Sequence, residues 1–523
     1  MGRVLGIVLL LTAWLCAEDA ADAEYKAALR LIERKKWSAG RRALRRFVNK
    51  HPESVHVVDA MIRSDDNCYL GTEVLWRGGP SARRIDVAVM GDGFTIESGL
   101  QRKQRKWADE VVKVLWNEKS FSEYRSYFNI YFVRLASLEE GVDPKLTPEQ
   151  LQKIREKNRH RSKSRQKKTD FSTALDAKAM GPQGQVMMSR RLVYKWLEIA
   201  QKDVPGVGDD RYVIAFAQFG RLGMGGGGIA NVGRPDKSVT THEFGHAFSR
   251  LLDEYANNPG APRGAYGKWI RAANVFLSTE EPKKIEVPWA HFLKRRAKGV
   301  GIYEGGATFK KGVWRSARSC AMNAAGNNAF CPVCREQTIL VIYEYVNPID
   351  QALPAASKRI EITEGDEQFL TVVPMDPYKH GLKVSWHVAD WVVTKREGDD
   401  GADPLDVDPF EPSDGGAESE APPPRPMFSF GGNRDRADRS LYNSPPSGKQ
   451  VKWSKQTKAS GRGRKRKPPK SVFPLSKLGV GAWRITCQVE DTTRWVLKDS
   501  KHLLKERVTW RVVVKPKVAA ASD

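Results

Sequence analysis

Residues 240–255 of the chain read TTHEFGHAFSRLLDEY, and this stretch carries the most information about the fold of the chain. It contains the pattern HExxH at His242–His246, which on an α-helix places both imidazoles on one face. Two imidazoles in that position can bind one zinc ion, with Glu243 beside the water that the ion acidifies. The motif therefore predicts a zinc site with a general base, the signature of a metalloprotease.

Two satisfied surface histidines are the alternative interpretation, because short patterns of this kind arise by chance in long chains. The setting favours the zinc site. The apolar run YVIAFA at 212–217 predicts a strand, and the glycine-rich run GMGGGG at 223–228 follows it before the motif helix. A sheet edge that leads into a catalytic helix is the arrangement that a protease needs.

A catalytic zinc usually has three protein ligands, so one more is required, and Asp253 and Glu254 are the candidates. On an unbroken helix, Asp253 would lie roughly 10 Å along the axis from His246, so the chain must turn after that histidine. In the metzincin pattern HExxHxxGxxH a glycine makes the turn, whereas here Ser249 has the glycine position and Leu252 the third-ligand position. We therefore predict Asp253 as the third ligand, one residue late, with Glu254 as the alternative.

Two further segments are predicted to border this site. The sequence Ser319-Cys320-Ala321-Met322 is similar to the Ser-x-Met turn beneath the zinc in metzincins, with core packing as the alternative role of Met322. Gly225 and Gly226 would let the backbone approach an extended peptide, although a plain flexible loop fits them equally. Tyr255 is a candidate for orienting the substrate or the oxyanion.

The motif at 242–246 with LDEY at 252–255, GDGFT at 91–95 and CPVCRE at 331–336 resembles the bacterial IgA-specific metallo-endopeptidases. That family consists of zinc endopeptidases related to metzincins. The resemblance implies His242 and His246 as ligands, Glu243 as the base, and an acidic ligand from Asp253 or Glu254. The basic insert at 153–168 and the long C-terminal extension depart from the family, so its name does not identify the substrate.

The first residues predict export. A positive Met1-Gly2-Arg3 precedes a short apolar run from Val4 to Leu15, which is the pattern of a secretory signal peptide over residues 1–20. This run is shorter than the roughly 20 residues of a membrane span, and no later segment is long and apolar enough, so no transmembrane span is expected. The mature chain is predicted to be periplasmic or extracellular.

Export permits disulfides, and three cysteines bracket one short segment. The sequence favours a disulfide from Cys320 to Cys331 or to Cys334. A structural zinc on these cysteines is the alternative, but it lacks a fourth ligand nearby in sequence.

Composition and periodicity divide the remaining chain. We predict a helical hairpin over 21–64, a zinc metallopeptidase domain over 65–350, and an immunoglobulin-like β-sandwich formed by 357–396 and 471–516. Residues 397–470 change from an acidic Pro/Gly stretch to a basic run, a composition that predicts a disordered insertion. The fold class is thus α/β (α+β): a zincin-like metalloprotease domain with a helical hairpin before it and a β-sandwich after it.

The net charge of +25 raises the question of an anionic partner. The basic runs at 153–168 and 462–470 have no interleaved aromatic residues, so specific nucleic-acid binding is not expected. Solvated loops, or attraction to an anionic envelope, a polysaccharide or an acidic substrate, account better for this charge. The predicted function is an exported zinc endopeptidase acting on proteins or peptides. The alternative is an envelope or extracellular binding protein with a vestigial zinc site.

Overall fold

In a computed structural model of the chain, the structure describes residues 20–34, 36–51, 54–56, 60, 64, 68–162, 169–180, 185–220, 222–263, 270, 272–323, 329–356, 359–390 and 471–517. The predicted signal peptide lies outside the described residues except for its last position, and the predicted insertion at 397–470 lies entirely outside them. No helix in the described part of the chain has the length and apolar character needed to cross a membrane.

The helices of the described residues are α1 (20–33), α2 (Trp37–Lys50), α3 (Ser98–Leu115), α4 (Lys119–Glu123), α5 (Pro148–Arg159), α6 (Arg190–Asp203), α7 (Lys237–Ala247), α8 (Ala290–Lys294) and α9 (Pro332–Tyr345). The strands up to α9 are β1 (Cys68–Arg77), β2 (Ile85–Asp92), β3 (Phe128–Ala136), β4 (Lys178–Met180), β5 (Gln185–Met187), β6 (Tyr212–Ala217), β7 (Gly223–Gly226), β8 (Ile229–Val232), β9 (Ala256–Asn258), β10 (Val275–Leu277), β11 (Tyr303–Gly306) and β12 (Thr308–Arg315). Those after α9 are β13 (Ile349–Leu353), β14 (Ile360–Thr363), β15 (Phe369–Pro374), β16 (Lys383–Asp390), β17 (Ser471–Pro474), β18 (Gly481–Glu490) and β19 (Lys505–Lys515).

The chain forms two compact units, and the boundary between them falls after Thr338. Ala82–Arg84 and Glu123–Tyr127 belong to the second unit although they precede that boundary. The several sheets and helices make the protein a mixed α/β fold of the α+β kind, as predicted.

A six-stranded sheet in the order β1-β3-β2-β6-β8-β7 organises the first unit. Its inner pairs β3–β2, β2–β6 and β6–β8 are parallel, while β1 and β7 run antiparallel at the two ends. All residues of β2 and β6 are buried, which explains why β6 is a continuous apolar run and why β2 is apolar between Asp86 and Asp92. Helix α7 follows β8 directly and packs against β7 and β8, so the sheet edge positions the motif helix.

The second unit contains a three-stranded sheet, β13-β15-β17, and a four-stranded sheet, β14-β19-β18-β16. Buried side chains alternate along β18 and β19, as expected for strands with one face in a core. One buried cluster contains residues of both sheets, including Leu370 and Val372 from β15 and Trp510 and Val512 from β19.

The basic insert is partly helical. Helix α5 covers Pro148–Arg159, and its first turn has a capping box in which Thr147 and Gln150 satisfy each other's backbone N–H groups. The sequence interpretation of this region as a solvated loop was therefore incomplete: local capping supports a helix whose basic residues remain exposed.

Candidate metal centre

Helix α7 presents the HExxH motif from a well-defined start. The Asp236 side chain accepts hydrogen bonds from the backbone N–H groups of Ser238 and Val239, both at 2.9 Å, and so caps the helix. The rings of His242 and His246 lie one turn apart, with centroids 4.7 Å from each other. The cap at one end thus fixes the helix that carries both imidazoles.

The chain reverses after the helix, as the third-ligand argument required. The backbone N–H of Leu251 donates to the carbonyl of Gly245 at 3.2 Å, and Arg250 adopts a left-handed conformation with φ of 58°. Ser249, at the glycine position of the metzincin pattern, has no positive φ. The left-handed residue comes one position later, and Asp253 follows it by three, as the third ligand follows the glycine in HExxHxxGxxH. The turn therefore absorbs the extra residue.

This turn brings three ligand atoms together. The Nε2 atoms of His242 and His246 lie 3.1 Å apart, and Oδ1 of Asp253 lies 3.0 Å and 3.1 Å from them. Tetrahedral zinc with bonds of about 2.0–2.1 Å has ligand atoms about 3.3 Å apart, so the triangle matches one face of such a site. The three side chains are 12%, 13% and 20% exposed, which leaves the group accessible from one side.

The other ring nitrogens fix the orientation of both imidazoles. Nδ1 of His242 lies 2.8 Å from the carbonyl oxygen of Ala321, and Nδ1 of His246 lies 2.7 Å from that of Leu251. A carbonyl only accepts, so each Nδ1 carries the proton and each Nε2 directs a lone pair toward the other and toward Asp253. Three converging acceptors repel one another unless a cation lies between them. The donor set therefore fits a metal ion.

Electrostatics keep the carboxylate ionised. Without an ion, Nε2 of a protonated histidine donates to Asp253 instead of directing a lone pair at it. Burial would raise the pKa of Asp253, but such hydrogen bonds from His242 and His246 hold that pKa well below its usual range. Burial would likewise lower the pKa of His246, but the hydrogen bond and negative charge of Asp253 outweigh it and raise this pKa to about 9. The site thus attracts positive charge, either a proton or a metal ion.

Glu243, the predicted base, is almost fully buried beside the histidines. Burial raises its pKa, and the neighbouring His242 and His246 oppose this rise only in part. A Cβ atom on Gly223 would lie 2.6 Å from Cγ of Glu243, and one on Gly225 would lie 2.2 Å from the Glu243 backbone oxygen. Only glycine lets strand β7 approach helix α7 this closely.

The structure locates the predicted cleft residues around this helix. Gly225 and Gly226 lie in β7, at the end of the sheet order, and Gly226 has φ of 154°. The Arg190 guanidinium donates to the carbonyls of Gly226 and Gly227, at 3.2 Å and 2.9 Å, and fixes the turn after the strand. The Tyr255 ring stacks beside that of His242, with centroids 6.0 Å apart. Gly225 and Tyr255 therefore lie against the motif helix, and Gly226 follows Gly225 in the same strand.

Met322 lies beneath the same helix. A Cβ atom on Gly245 would be 2.8 Å from Sδ of Met322, so the fully buried methionine occupies the space that this glycine leaves open. The carbonyl of Met322 accepts a hydrogen bond from the backbone N–H of Glu254 at 2.7 Å. Met322 thus contacts both the motif helix and the segment that supplies Asp253.

The cysteine prediction and the alternative third ligand both differ from the structure. Cys320, Cys331 and Cys334 have free thiols, and the Sγ atoms of Cys320 and Cys334 are 3.6 Å apart, well beyond the disulfide length of about 2.05 Å. Glu254 does not join the histidines: its Oε1 lies 3.2 Å from Sγ of Cys334. The sequence missed this grouping because Glu254 is distant along the chain. The one indication in the sequence that Glu254 faces away from the histidines was its position next to Asp253. Neighbouring side chains of an extended segment point to opposite sides.

Comparison with known protein families supports a peptidase. The family model described as IgA Peptidase M64 matches residues 74–154. This segment contains β2 and β3, and it includes GDGFT at 91–95, one of the sequences on which the resemblance was based. This match supports membership of the IgA peptidase family and confirms the resemblance noted from the sequence. The family is one of metallopeptidases, which agrees with a metal at the histidine site. No curated protein matches the chain.

Proposed function

We propose that the chain is an exported zinc endopeptidase, with His242, His246 and Asp253 as zinc ligands and Glu243 as the general base. The observation that carries this proposal is the triangle of lone-pair donors, with edges of 3.0–3.1 Å, on the helix that also bears Glu243. When bound, zinc supplies Lewis acidity that acidifies water and polarises a peptide carbonyl.

The chain's own residues perform the proton transfers. Glu243 accepts a proton from the attacking water and later donates it to the leaving amine. Burial raises the pKa of Glu243, which makes its carboxylate a stronger base near neutral pH. The Nδ1 hydrogen bonds of His242 and His246 to backbone carbonyls hold the imidazoles in place during this exchange.

The substrate would bind as an extended peptide along β7. This strand pairs with β8 and ends the sheet order, and Gln185 of β5 forms a bridge with Leu222 just before it. The glycines of β7 beyond that bridge are suited to main-chain hydrogen bonds with a peptide. Gly225 and Gly226 place little bulk there, and Tyr255 beside His242 is suited to orient the scissile carbonyl. In this proposal, Met322 forms the floor of the zinc site.

We infer the remaining organisation from further observations. The buried cluster shared by the two sheets of the second unit supports the predicted β-sandwich, and the sheet with its motif helix supports a zincin-like first unit. The leader pattern at 1–20 supports export. Exposed basic residues on helix α5 support electrostatic attraction to an anionic envelope or polysaccharide.

The test is a Glu243→Gln variant of the full chain, measured for zinc content and for cleavage of a mixed peptide library. We expect zinc to remain and turnover to fall about 10²–10⁴-fold, because the ligands are intact and the base is lost. Glu198→Gln makes the same chemical change on an exposed position of helix α6 and should leave turnover unaltered. Full activity of the Glu243 variant, or zinc-loaded wild type that cleaves nothing, would contradict the proposal.

A further inference from the structure

A second group of ligand atoms lies outside the histidine site. Glu254, Cys320, Cys331 and Cys334 are all buried, and one ligand atom from each lies within 4.8 Å of every other. We infer that these four residues bind a structural zinc ion. This site is additional to the proposed catalytic one and does not depend on proteolytic activity.

The spacing fits one tetrahedral ion. With Zn–S bonds of about 2.3 Å, two sulfur ligands lie about 3.8 Å apart, and a sulfur and a carboxylate oxygen lie about 3.5 Å apart. The Sγ atoms of Cys320 and Cys334 are 3.6 Å apart, and Oε1 of Glu254 is 3.2 Å from Sγ of Cys334 and 3.9 Å from that of Cys331. Four protein ligands without an open position are typical of structural rather than catalytic zinc.

Two backbone N–H groups point at sulfur atoms of this group. The backbone N–H of Cys331 points at Sγ of Cys320 at 3.3 Å, and that of Cys334 points at Sγ of Cys331 at 3.5 Å. Cys331 also immediately precedes helix α9, whose N-terminal end carries partial positive charge and begins with Pro332. Such donors favour thiolates, the form that binds metal.

The carboxylate also requires a partner. Glu254 is fully buried, and no donor among the described residues reaches its Oε2 atom. Asn274 donates to Oε1 at 3.1 Å and to the carbonyl of Leu252 at 2.8 Å, so it orients the carboxylate and holds the preceding backbone. An unpaired buried carboxylate oxygen costs free energy, and a bound cation removes that cost.

A disulfide would leave this group unsatisfied. Any pairing of two cysteines leaves the third thiol buried beside the Glu254 carboxylate, whose Oε2 atom would still lack a donor among the described residues. One zinc ion satisfies all four. A Cys₃ set with one carboxylate also suits zinc better than calcium or magnesium, which prefer oxygen ligands.

An ion at the cysteine site would also help to position a ligand of the histidine site. Glu254 follows Asp253 directly, so an ion bound by the cysteines anchors the segment that delivers the carboxylate to His242 and His246. In this way the cysteine site positions a ligand of the other centre.

The experiment is zinc content per chain, by mass spectrometry of the purified full-length protein under mildly reducing conditions. Wild type should carry two zinc ions, and the double variant His242→Ala/His246→Ala should retain one. The double variant Cys320→Ser/Cys334→Ser should carry at most one. Cys487→Ser, which alters a buried thiol in the second unit, is the matched control and should keep two.

Two readouts keep the inference falsifiable if the cysteine variant fails to fold. Cobalt bound to the histidine double variant should show sulfur-to-metal charge-transfer absorption, because only the cysteine site remains. A histidine double variant free of metal would overturn the inference, and so would an intact mass, of protein purified without reductant, showing that two of the three thiols are oxidised to a disulfide. Neither result depends on whether the protein cleaves peptides, so failure here is distinguishable from failure of the proposed function.

Discussion

Two neighbouring ligand groups in the first unit differ in openness. His242, His246 and Asp253 form a three-membered set whose side chains are partly exposed, whereas Glu254 and three cysteines form a four-membered set that is fully buried. A catalytic metal needs an open position for water and substrate, and a structural metal does not. The number of ligands and their burial therefore assign different roles to two sites that share one short segment.

The shared segment shows how adjacent carboxylates can serve separate sites. Asp253 approaches the histidines because the chain reverses at Arg250, and Glu254 turns toward the cysteines. Asn274 and Met322 hold this segment through its backbone at Leu252 and Glu254. Shifting the register by one residue would exchange the two carboxylates, so these backbone contacts determine which site receives which ligand.

Metal removal should have the largest effect, and it should affect the two sites differently. A chelator should take zinc first from the partly exposed histidine site, with loss of activity and little loss of stability. Removal from the buried cysteine site should then lower the free energy of unfolding by at least about 4 kcal/mol, the linkage value at free zinc 1,000 times its Kd. Urea denaturation at each stage of zinc removal measures this difference.

The histidine double variant provides the control for that titration. This variant lacks the accessible histidine site, so it should release a single zinc ion, slowly, from the cysteine site. That release should be accompanied by the same large loss of stability. Equal release rates for both ions in wild type, or no stability loss on removal of the second, would contradict the assignment of open and closed sites.

The sequence predicted one of these sites far better than the other. His242, Glu243 and His246 lie within one helical turn, so local periodicity suffices to group them. Asp253 required one further step, the argument that an unbroken helix carries it too far away. The cysteine site required tertiary information: Glu254 and Asn274 come from separate loops, and nothing in their local sequence connects them with Cys320.

In the fold, too, features set by local sequence were predictable and features set by tertiary contacts were not. The continuous apolar run at 212–217 predicted the buried strand β6, because its pattern depends on burial alone. The left-handed conformation of Arg250 was not predictable from residue type, since that conformation favours glycine or asparagine. Here hydrogen bonding of Leu251 to Gly245, and the packing that follows it, override the local preference.

Asn274→Ala should have an intermediate effect, and it should change zinc affinity at one site more than at the other. It removes an amide that contacts Glu254 but none of the histidine ligands, so zinc affinity of the cysteine site should fall about 10–100-fold. Affinity at the histidine site should change less. Competition with a zinc-binding dye measures both constants.

Asn129→Ala is the matched control for that variant. Asn129 is equally buried and hydrogen-bonds to the backbone N–H groups of Gly78 and Gly79 and to Asp86, so its loss should destabilise the fold. Both zinc affinities should nevertheless remain. A similar fall in affinity for both asparagine variants would show that general destabilisation, rather than the Glu254 contact, is responsible.

The smallest effect is expected for Met322→Leu, at the residue that lies between the two sites. The Met322 side chain fills the space beside Gly245, and its carbonyl accepts from Glu254, so the structure assigns it a role of shape rather than of metal binding. A volume-conserving exchange should cost less than about 1.5 kcal/mol of stability and leave both zinc ions bound, whereas Met322→Ala should cost about 2–5 kcal/mol. Met90→Leu, at a fully buried methionine in β2, calibrates the cost of the exchange itself. If Met322→Leu released zinc from either site while Met90→Leu did not, the thioether would have a chemical role that packing does not explain.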